Sequence, residues 1–278
     1  MERESRSDPS AQSLESNPSE TGEILDNGKL AGEQETDQLR QQIWEQMNSI
    51  DIKPEDRNSE GQLLVFPDGP VSNLDEQEWK MVRTEAFKRW FEESMVVDEN
   101  GEPLVLYHGS SQKFDKFDLS KVGSSSGANK DSGYFGKGFY FTPHQELAQK
   151  YGPVLYKSFL RINHIQIFGE EHGNVRFDDS PLPENIRDEV LKRYKPLQEE
   201  KYRKLKEAEE KSQGDWGYIS TWDGSDKFES ILSDVIREVL IEQGFDGVLG
   251  YNKVSKLYEY TAFDQDDILI ISQEEKSQ

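Results

Sequence analysis

The stretch Gly136-Lys137-Gly138-Phe139-Tyr140-Phe141-Thr142 places two glycines before three aromatic residues. Aromatic runs of this kind favour β-strands, so the stretch predicts a short strand flanked by glycine. Two further stretches have a similar strand-like character, Tyr107-His108-Gly109-Ser110 upstream and Leu257-Tyr258-Glu259-Tyr260 downstream. The pattern therefore predicts short strands that carry one imidazole, one carboxylate and several aromatic rings.

The overall composition limits what the protein can be. Only 33% of its 278 residues are hydrophobic, which is low for a globular protein and predicts that part of the chain is unfolded. The net charge of -22 disfavours binding to nucleic-acid phosphates, since that binding depends on Lys and Arg displacing counterions. The chain has no cysteine, which excludes disulfides, thiol catalysis and Cys-ligated zinc. No apolar run is long enough to predict a membrane span, and no signal peptide is expected because Met1-Glu2-Arg3-Glu4 does not lead into an apolar core.

The N-terminal part is predicted to be mostly tail and linker. Residues 1–35 are rich in Ser, Glu, Asn, Gly and Pro and predict a disordered tail. An amphipathic helix is predicted from about Thr36 to Ile50, which either docks on the main domain or binds a partner or a second copy. Residues 51–78 read as a linker. The expected organisation is an acidic tail and linker over 1–78, a catalytic domain over 79–272 and a disordered C-terminus over 273–278.

The order of predicted elements in the main domain is α+β. It alternates short strands and helices irregularly, unlike the strict alternation of a Rossmann sheet, and Gly136-Lys137-Gly138 lacks the third glycine of a dinucleotide fingerprint. The predicted elements are a helix over 79–94, a hairpin over 95–107, a mobile loop over 120–133 that would act as a lid, a strand over 139–141, a helix over 143–151, strand-like runs over 154–168, helices over 184–211 and 228–242, and strands over 247–251, 256–263 and 268–271.

The quoted stretches resemble the NAD⁺ pocket of ADP-ribosyltransferases with a His-Tyr-Glu set, the branch of diphtheria toxin and the poly(ADP-ribose) polymerases. The resemblance runs from about Lys80 to Ile271. With the lead-in Phe87-Lys88-Arg89-Trp90-Phe91 before the hairpin, it is strongest for the ADP-ribosyltransferase domains in polyvalent proteins of phages and mobile elements. It implies a split β core of two small sheets with flanking helices.

The resemblance implies three catalytic residues, Glu259, His108 and Tyr140. Glu259 matches the glutamate that bonds the 2′-hydroxyl of the nicotinamide ribose, and His108 matches the histidine that binds the adenosine ribose. Cleavage of the nicotinamide–ribose bond passes through an oxocarbenium-like state, so one carboxylate and strict positioning of the sugar are the groups the reaction needs.

The residues implied to bind NAD⁺ overlap with this set. Gly109 matches the residue whose backbone holds the nicotinamide amide, and Ser110 follows it as the usual Ser or Thr does. Tyr140 and Tyr151, eleven residues apart, match the pair that stacks on the nicotinamide ring. Lys137 either meets the pyrophosphate or faces solvent. Together with His108 these form the expected pocket, and no metal is expected because His144, His164 and His172 lack the spacing of ligands.

One position departs from the polymerase pattern. The polymerases have a serine three residues before the second tyrosine, where its hydroxyl helps to hold the nicotinamide amide, whereas this chain has Ala148. The departure predicts one weaker contact to that amide.

The expected activity is NAD⁺-dependent mono-ADP-ribosylation of a protein with release of nicotinamide. Two alternatives stay open: an NAD⁺ glycohydrolase toxin, and a catalytically silent module of a phage or mobile element that binds NAD⁺ or ADP-ribose. The protein's acidity favours a protein acceptor over nucleic acid, and no membrane partner is expected. We expect the protein in the cytoplasm of a bacterial host, with phage injection or signal-less secretion as routes of delivery.

Overall fold

The computed structural model describes residues 37–123, 133–169, 183–211, 221–252 and 255–275. It is an α+β fold with a split β core of two small sheets, as predicted. The helices are α1 (37–47), α2 (Glu76–Val82), α3 (Glu85–Phe91), α4 (Gln145–Ala148), α5 (Glu184–Lys211) and α6 (Thr221–Glu242). The strands are β1 (Leu106–Ser110), β2 (Phe139–Phe141), β3 (Val154–Leu160), β4 (Ile165–Phe168), β5 (Gly247–Asn252), β6 (Leu257–Ala262) and β7 (Ile268–Glu275).

The two sheets meet along β1 and β2. The first sheet has the order β1-β3-β7 and the second has the order β2-β6-β5-β4. All neighbouring strands are antiparallel except β4 and β5, which are parallel. At the junction, the Tyr107 N–H donates to the Thr142 carbonyl at 2.8 Å and the Thr142 N–H donates to the Tyr107 carbonyl at 3.0 Å. The backbone next to His108 is thus tied to the strand that carries Tyr140.

Helices α5 and α6 cover one face of the second sheet. The apolar residues of these helices recur at helical spacing, and they bury Phe135, Val248 and Phe263 beneath them. The bounds of α5 agree with the predicted 184–211, and α6 begins at Thr221, earlier than predicted. Gly244 has φ +89°, a left-handed conformation suited to glycine after the end of a helix.

A layer made of residues 37–91, the N-terminal layer, covers the first sheet. Ile43 of α1 is 0% exposed and lies in one cluster with Phe87, Phe159 and Leu269. In the structure α1 therefore packs on the main domain, which was one of the two interpretations of its apolar face. Residues 1–36 lie outside the described residues.

Residues 51–78, expected as a linker, are instead part of the N-terminal layer. Leu63 and Leu74 are buried in its core, and the Trp79 indole donates a 2.7 Å hydrogen bond to the Leu64 carbonyl. The Arg83 guanidinium lies 3.6 Å from the centre of the Trp79 ring. The polar composition of this segment gave no sign of the packing, because a few leucines supply most of the buried apolar surface. The Trp79 indole provides the hydrogen bond that a backbone carbonyl between them needs.

Other local predictions differ in detail. The expected helix over 79–94 is two helices: α2 ends at Val82 with Arg83 as its C-cap, and the Thr84 hydroxyl accepts a 3.0 Å hydrogen bond from the Phe87 N–H to start α3. β1 runs through His108 to Ser110 instead of ending before it. β7 continues to Glu275, into the segment expected to be disordered, since its last residues pair with the start of β3.

The predicted lid falls largely outside the described residues. Of the 120–133 loop, residues 124–132 lie beyond what the structure describes, and the remainder begins with a short 3₁₀ helix at Leu119–Lys121. Among the helices of the described ranges, each is too short or too polar to cross a lipid bilayer.

Candidate active site

His108 is anchored at the junction of the two sheets. Its ring Nδ1 lies 2.8 Å from the Tyr140 carbonyl oxygen. A carbonyl oxygen only accepts hydrogen bonds, so Nδ1 must carry the proton in this contact. In the neutral ring the other nitrogen, Nε2, is then left as an acceptor. The contact thus sets both the orientation of the imidazole and its tautomer.

Aromatic rings surround the imidazole of His108. The ring centres of Phe117 and Phe141 lie 5.1 and 5.4 Å from it, and those of Phe114 and Tyr156 lie 6.4 and 6.2 Å away. Burial among these rings lowers the pKa of His108 from its usual value, while the hydrogen bond to the Tyr140 carbonyl opposes the shift. At neutral pH the residue is therefore an uncharged hydrogen-bond acceptor at Nε2.

Gly109 brings α4 and Tyr151 against β1. A Cβ on Gly109 would stand 1.8 Å from the Ala148 carbonyl oxygen and 3.3 Å from the Tyr151 Cβ. A Cβ on Gly152 would likewise stand 2.0 Å from the Ser110 carbonyl oxygen. Two glycines therefore let the end of α4 lie directly on the strand. Tyr151 lies beside Gly109, and 40% of its surface is exposed, so its ring is accessible.

Ser110 and Ala148 complete this part of the site. The Ser110 hydroxyl accepts a 3.2 Å hydrogen bond from the Gln112 N–H, which starts the segment that leads to Phe114 and Phe117. Ala148, the departure from the polymerase pattern, is buried, and its carbonyl is the atom that meets Gly109. Gly109 is thus required for packing, in addition to the contact to nicotinamide that the resemblance implies.

The Tyr140 hydroxyl is held by the turn that precedes β2. It accepts a 2.9 Å hydrogen bond from the Phe135 N–H and donates one of 2.8 Å to the Gly136 carbonyl. Gly136 has φ +102°, a conformation that the turn requires and that glycine adopts without strain. With the hydroxyl engaged in this way, the face of the ring is the part of Tyr140 suited to contact a ligand.

Lys137 is bound to α6. Its backbone N–H donates to the Ser233 carbonyl at 2.9 Å, and its Nζ lies 3.1 Å from the Asp234 carboxylate. The ammonium group therefore already has a carboxylate partner, one that a pyrophosphate would have to displace or share. Contact between Lys137 and the pyrophosphate stays a prediction.

Glu259 lies on the face of the second sheet that α5 and α6 cover. It is 6% exposed and stands opposite Gly250 in the β5–β6 pair. The ring of Phe135 fills the space above Gly250, where a Cβ would be 2.5 Å from ring carbons. Thr261, two residues after Glu259, pairs with Tyr140 on β2. Because side chains alternate along a strand and paired residues share a face, Glu259 and Tyr140 project from the same side of the sheet.

The sequence alone did not reveal a partner of Glu259. Asn252, the last residue of β5, donates from Nδ2 to the Glu259 Oε1 at 3.1 Å. This contact is diagonal across the β5–β6 pair, so it depends on strand register. The sequence signal that could have pointed to this contact is an asparagine at the end of a strand, just before a turn.

Acidic residues outside the site have structural roles. Asp264 accepts a 3.0 Å hydrogen bond from the Asp266 N–H at the start of the 3₁₀ helix Gln265–Asp267. Arg161 binds one Asp267 oxygen at 2.7 and 2.9 Å, while burial raises the pKa of Asp267 to about 6. Within the described part of the chain, no three His, Asp or Glu side chains are grouped to hold a metal ion.

Comparisons with known proteins show to which protein family the chain belongs. A family model described as ADP-ribosyltransferase in polyvalent proteins matches residues 98–277, which is more than half of the chain. No curated protein matches significantly. A solved structure titled as that of an anti-CRISPR protein is 14% identical, with a TM-score of 0.29, over 60% of this chain and 94% of that chain. The family match confirms the predicted resemblance, and the chain belongs to the ADP-ribosyltransferases of polyvalent proteins.

Proposed function

We propose that the protein transfers a single ADP-ribose unit from NAD⁺ to a protein acceptor and releases nicotinamide. The observation that supports this proposal is that the strand carrying Tyr140 lies next to both other motifs. His108 is bound to the Tyr140 carbonyl, and Glu259 projects from the same sheet face as Tyr140. A neutral imidazole acceptor suits the ribose, aromatic rings suit the nicotinamide, and a carboxylate suits the positive charge that develops on the sugar.

Each residue of the proposed pocket would bind a different part of NAD⁺. The free Nε2 of His108 would accept a hydrogen bond from a hydroxyl of the adenosine ribose. The backbone of Gly109 would bind the nicotinamide amide, and the rings of Tyr140 and Tyr151 would stack on the nicotinamide, which favours offset contact between flat surfaces. Ser110 and Lys137 are the remaining candidates, with Lys137 leaving Asp234 if it meets the pyrophosphate.

Catalysis would depend chiefly on Glu259. The bond between the ribose C1′ and the nicotinamide nitrogen breaks, and its electron pair leaves with nicotinamide. The sugar becomes oxocarbenium-like, and a nucleophile of the acceptor attacks C1′ and loses its proton. The Glu259 carboxylate would accept the 2′-hydroxyl proton in a hydrogen bond, holding the sugar and stabilising the positive charge as it develops.

A labelling experiment tests the proposal. The full-length protein is incubated with NAD⁺ labelled in the adenosine part and with bacterial lysate, and both free nicotinamide and label on macromolecules are followed. Glu259→Gln is the inactive comparison. Glu275→Gln, which removes an exposed carboxylate at the end of β7, is the matched control.

Each outcome decides between functions. Glu259-dependent label on protein supports the transferase, and label on nucleic acid would overturn the protein acceptor. Nicotinamide release without label would identify an NAD⁺ glycohydrolase. Binding of NAD⁺ with neither product would identify a silent binding module.

A further inference from the structure

The side chain of Asn252 reaches Glu259 from the neighbouring strand. The β5–β6 register pairs Gly250 with Glu259 and Asn252 with Leu257, so Asn252 is the diagonal neighbour of Glu259 on the same face. Its Nδ2 lies 3.1 Å from the Glu259 Oε1. Since Gly250 has no side chain, nothing on the residue directly opposite blocks this diagonal contact.

The turn after β5 decides which way the Asn252 amide points. The Ser255 N–H donates to the Asn252 Oδ1 at 3.2 Å, and the Lys256 N–H donates to the Asn252 carbonyl at 2.7 Å. A backbone N–H can only donate, so the amide oxygen must face the turn. The NH₂ group is thereby directed at the Glu259 carboxylate, where it acts as a donor.

The surroundings of Glu259 explain why its carboxylate needs a hydrogen-bond donor. The Phe135 ring lies over Gly250, so an aromatic wall stands beside the mostly buried carboxylate. A carboxylate next to an apolar surface loses hydration, and hydrogen bonds from neighbouring donors compensate for that loss. A donor held by a backbone turn also restricts the rotation of the carboxylate.

We propose that Asn252 is a positioning residue for the transfer reaction, holding the Glu259 carboxylate in the orientation that receives the ribose 2′-hydroxyl. The inference rests on the proposed function, since it acts through Glu259. It assigns no contact between Asn252 and NAD⁺. Losing Asn252 should therefore lower kcat while the Kd for NAD⁺ stays nearly unchanged.

Two substitutions separate this role from a role in folding. Asn252→Ala removes the donor, and nicotinamide release should fall about tenfold or more, the scale of losing a hydrogen bond to a charged group. Asn252→Asp keeps an oxygen for the Ser255 N–H, so the turn is retained, but it places a second carboxylate against Glu259. It should be at least as inactive as Asn252→Ala. Asn48→Ala, at an exposed asparagine directly after α1, is the control and should be as active as the wild type.

A double-mutant cycle with Glu259→Gln completes the test. If Asn252 acts through Glu259, Asn252→Ala should change the rate of the Glu259→Gln protein by no more than about twofold, because the effects of coupled residues do not add. Equal effects of Asn252→Ala in both backgrounds, or full activity of Asn252→Asp, would overturn the inference. If Glu259→Gln itself is fully active, the proposed function fails, which is a distinct result from failure at Asn252 alone.

Discussion

At the scale of single residues, the site is built from groups whose freedom the fold has removed. The Tyr140 carbonyl sets the His108 tautomer, the Gly136 turn holds the Tyr140 hydroxyl, and Asn252 contacts Glu259. Such pre-organisation suits the proposed reaction, in which the protein would mainly position a sugar and stabilise charge. Tyr151 differs from these groups because its ring is exposed and accessible to a ligand.

Tyr151→Ala should weaken NAD⁺ binding without unfolding the protein. The ring is 40% exposed, so its loss removes little from the core. Loss of stacking should raise the Kd for NAD⁺ by roughly 3- to 10-fold, the equivalent of an aromatic contact. Isothermal titration calorimetry measures the change, and Tyr151→Phe should bind as the wild type does. An unchanged Kd for Tyr151→Ala would refute the stacking role.

His108 should stay uncharged into mildly acidic solution. Because burial lowers its pKa below the usual 6.5, folding favours the neutral ring. Its contribution to stability is present above the usual pKa and is lost as the pH falls through the lowered pKa. An NMR titration of the His108 Hε1 resonance, assigned with His108→Gln, should give a midpoint below that in the urea-unfolded protein. A midpoint equal to or above the unfolded value would contradict the assignment.

At the scale of elements, the contact between α4 and β1 depends on glycine. Gly109→Ala would place a methyl group 1.8 Å from the Ala148 carbonyl oxygen, a backbone atom that cannot rotate away. The helix would have to shift, and Tyr151 would shift with it. We expect a loss of about 1–3 kcal/mol in the free energy of unfolding, as for other overpacked sites, together with weaker NAD⁺ binding.

Urea denaturation measures the effect of Gly109→Ala. The control is Gly101→Asn, since Gly101 has φ +79°, which asparagine tolerates, and open space around its Cβ position. A Gly109→Ala protein as stable as the wild type would show that α4 does not press on β1 as described.

Elements with strong periodicity could be predicted, and those held by scattered contacts could not. The apolar residues of α6 recur at helical spacing and predict its end at Glu242, and the charged stretch 184–211 predicts α5 as a long, exposed helix with the bounds it has in the structure. The apolar residues around Leu63 and Leu74 do not recur at a regular spacing, so the sequence did not predict that they are buried. Matching short motifs proposed His108, Tyr140 and Glu259 as site residues, whereas the Asn252 contact depends on strand register, which the sequence does not specify.

At the scale of the whole molecule, the N-terminal layer and the family domain share one core. The family match begins at residue 98, yet Ile43 packs in the same cluster as Phe159 of β3 and Leu269 of β7. The sheet that carries His108 is therefore covered on one side by residues outside the family match. Stability of the transferase fold should depend on this layer.

Ile43→Ala should destabilise the entire protein. The side chain is 0% exposed, and truncating a buried isoleucine costs about 2–5 kcal/mol. Urea unfolding followed by tryptophan fluorescence should show one transition, moved to lower urea. Gln41→Ala, on the exposed side of α1, should change stability by less than about 0.5 kcal/mol. An unaltered transition for Ile43→Ala would mean that α1 does not contribute to the common core.

The most direct test of the account is the initial rate of nicotinamide release from NAD⁺ by the purified full-length protein and its Glu259→Gln variant. The variant keeps the shape of the side chain but loses its charge, so NAD⁺ should bind with nearly the same Kd while the rate falls about 10²-fold or more. Glu275→Gln should release nicotinamide as fast as the wild type. Equal rates for the wild type and Glu259→Gln would contradict the assignment of Glu259 as the catalytic residue.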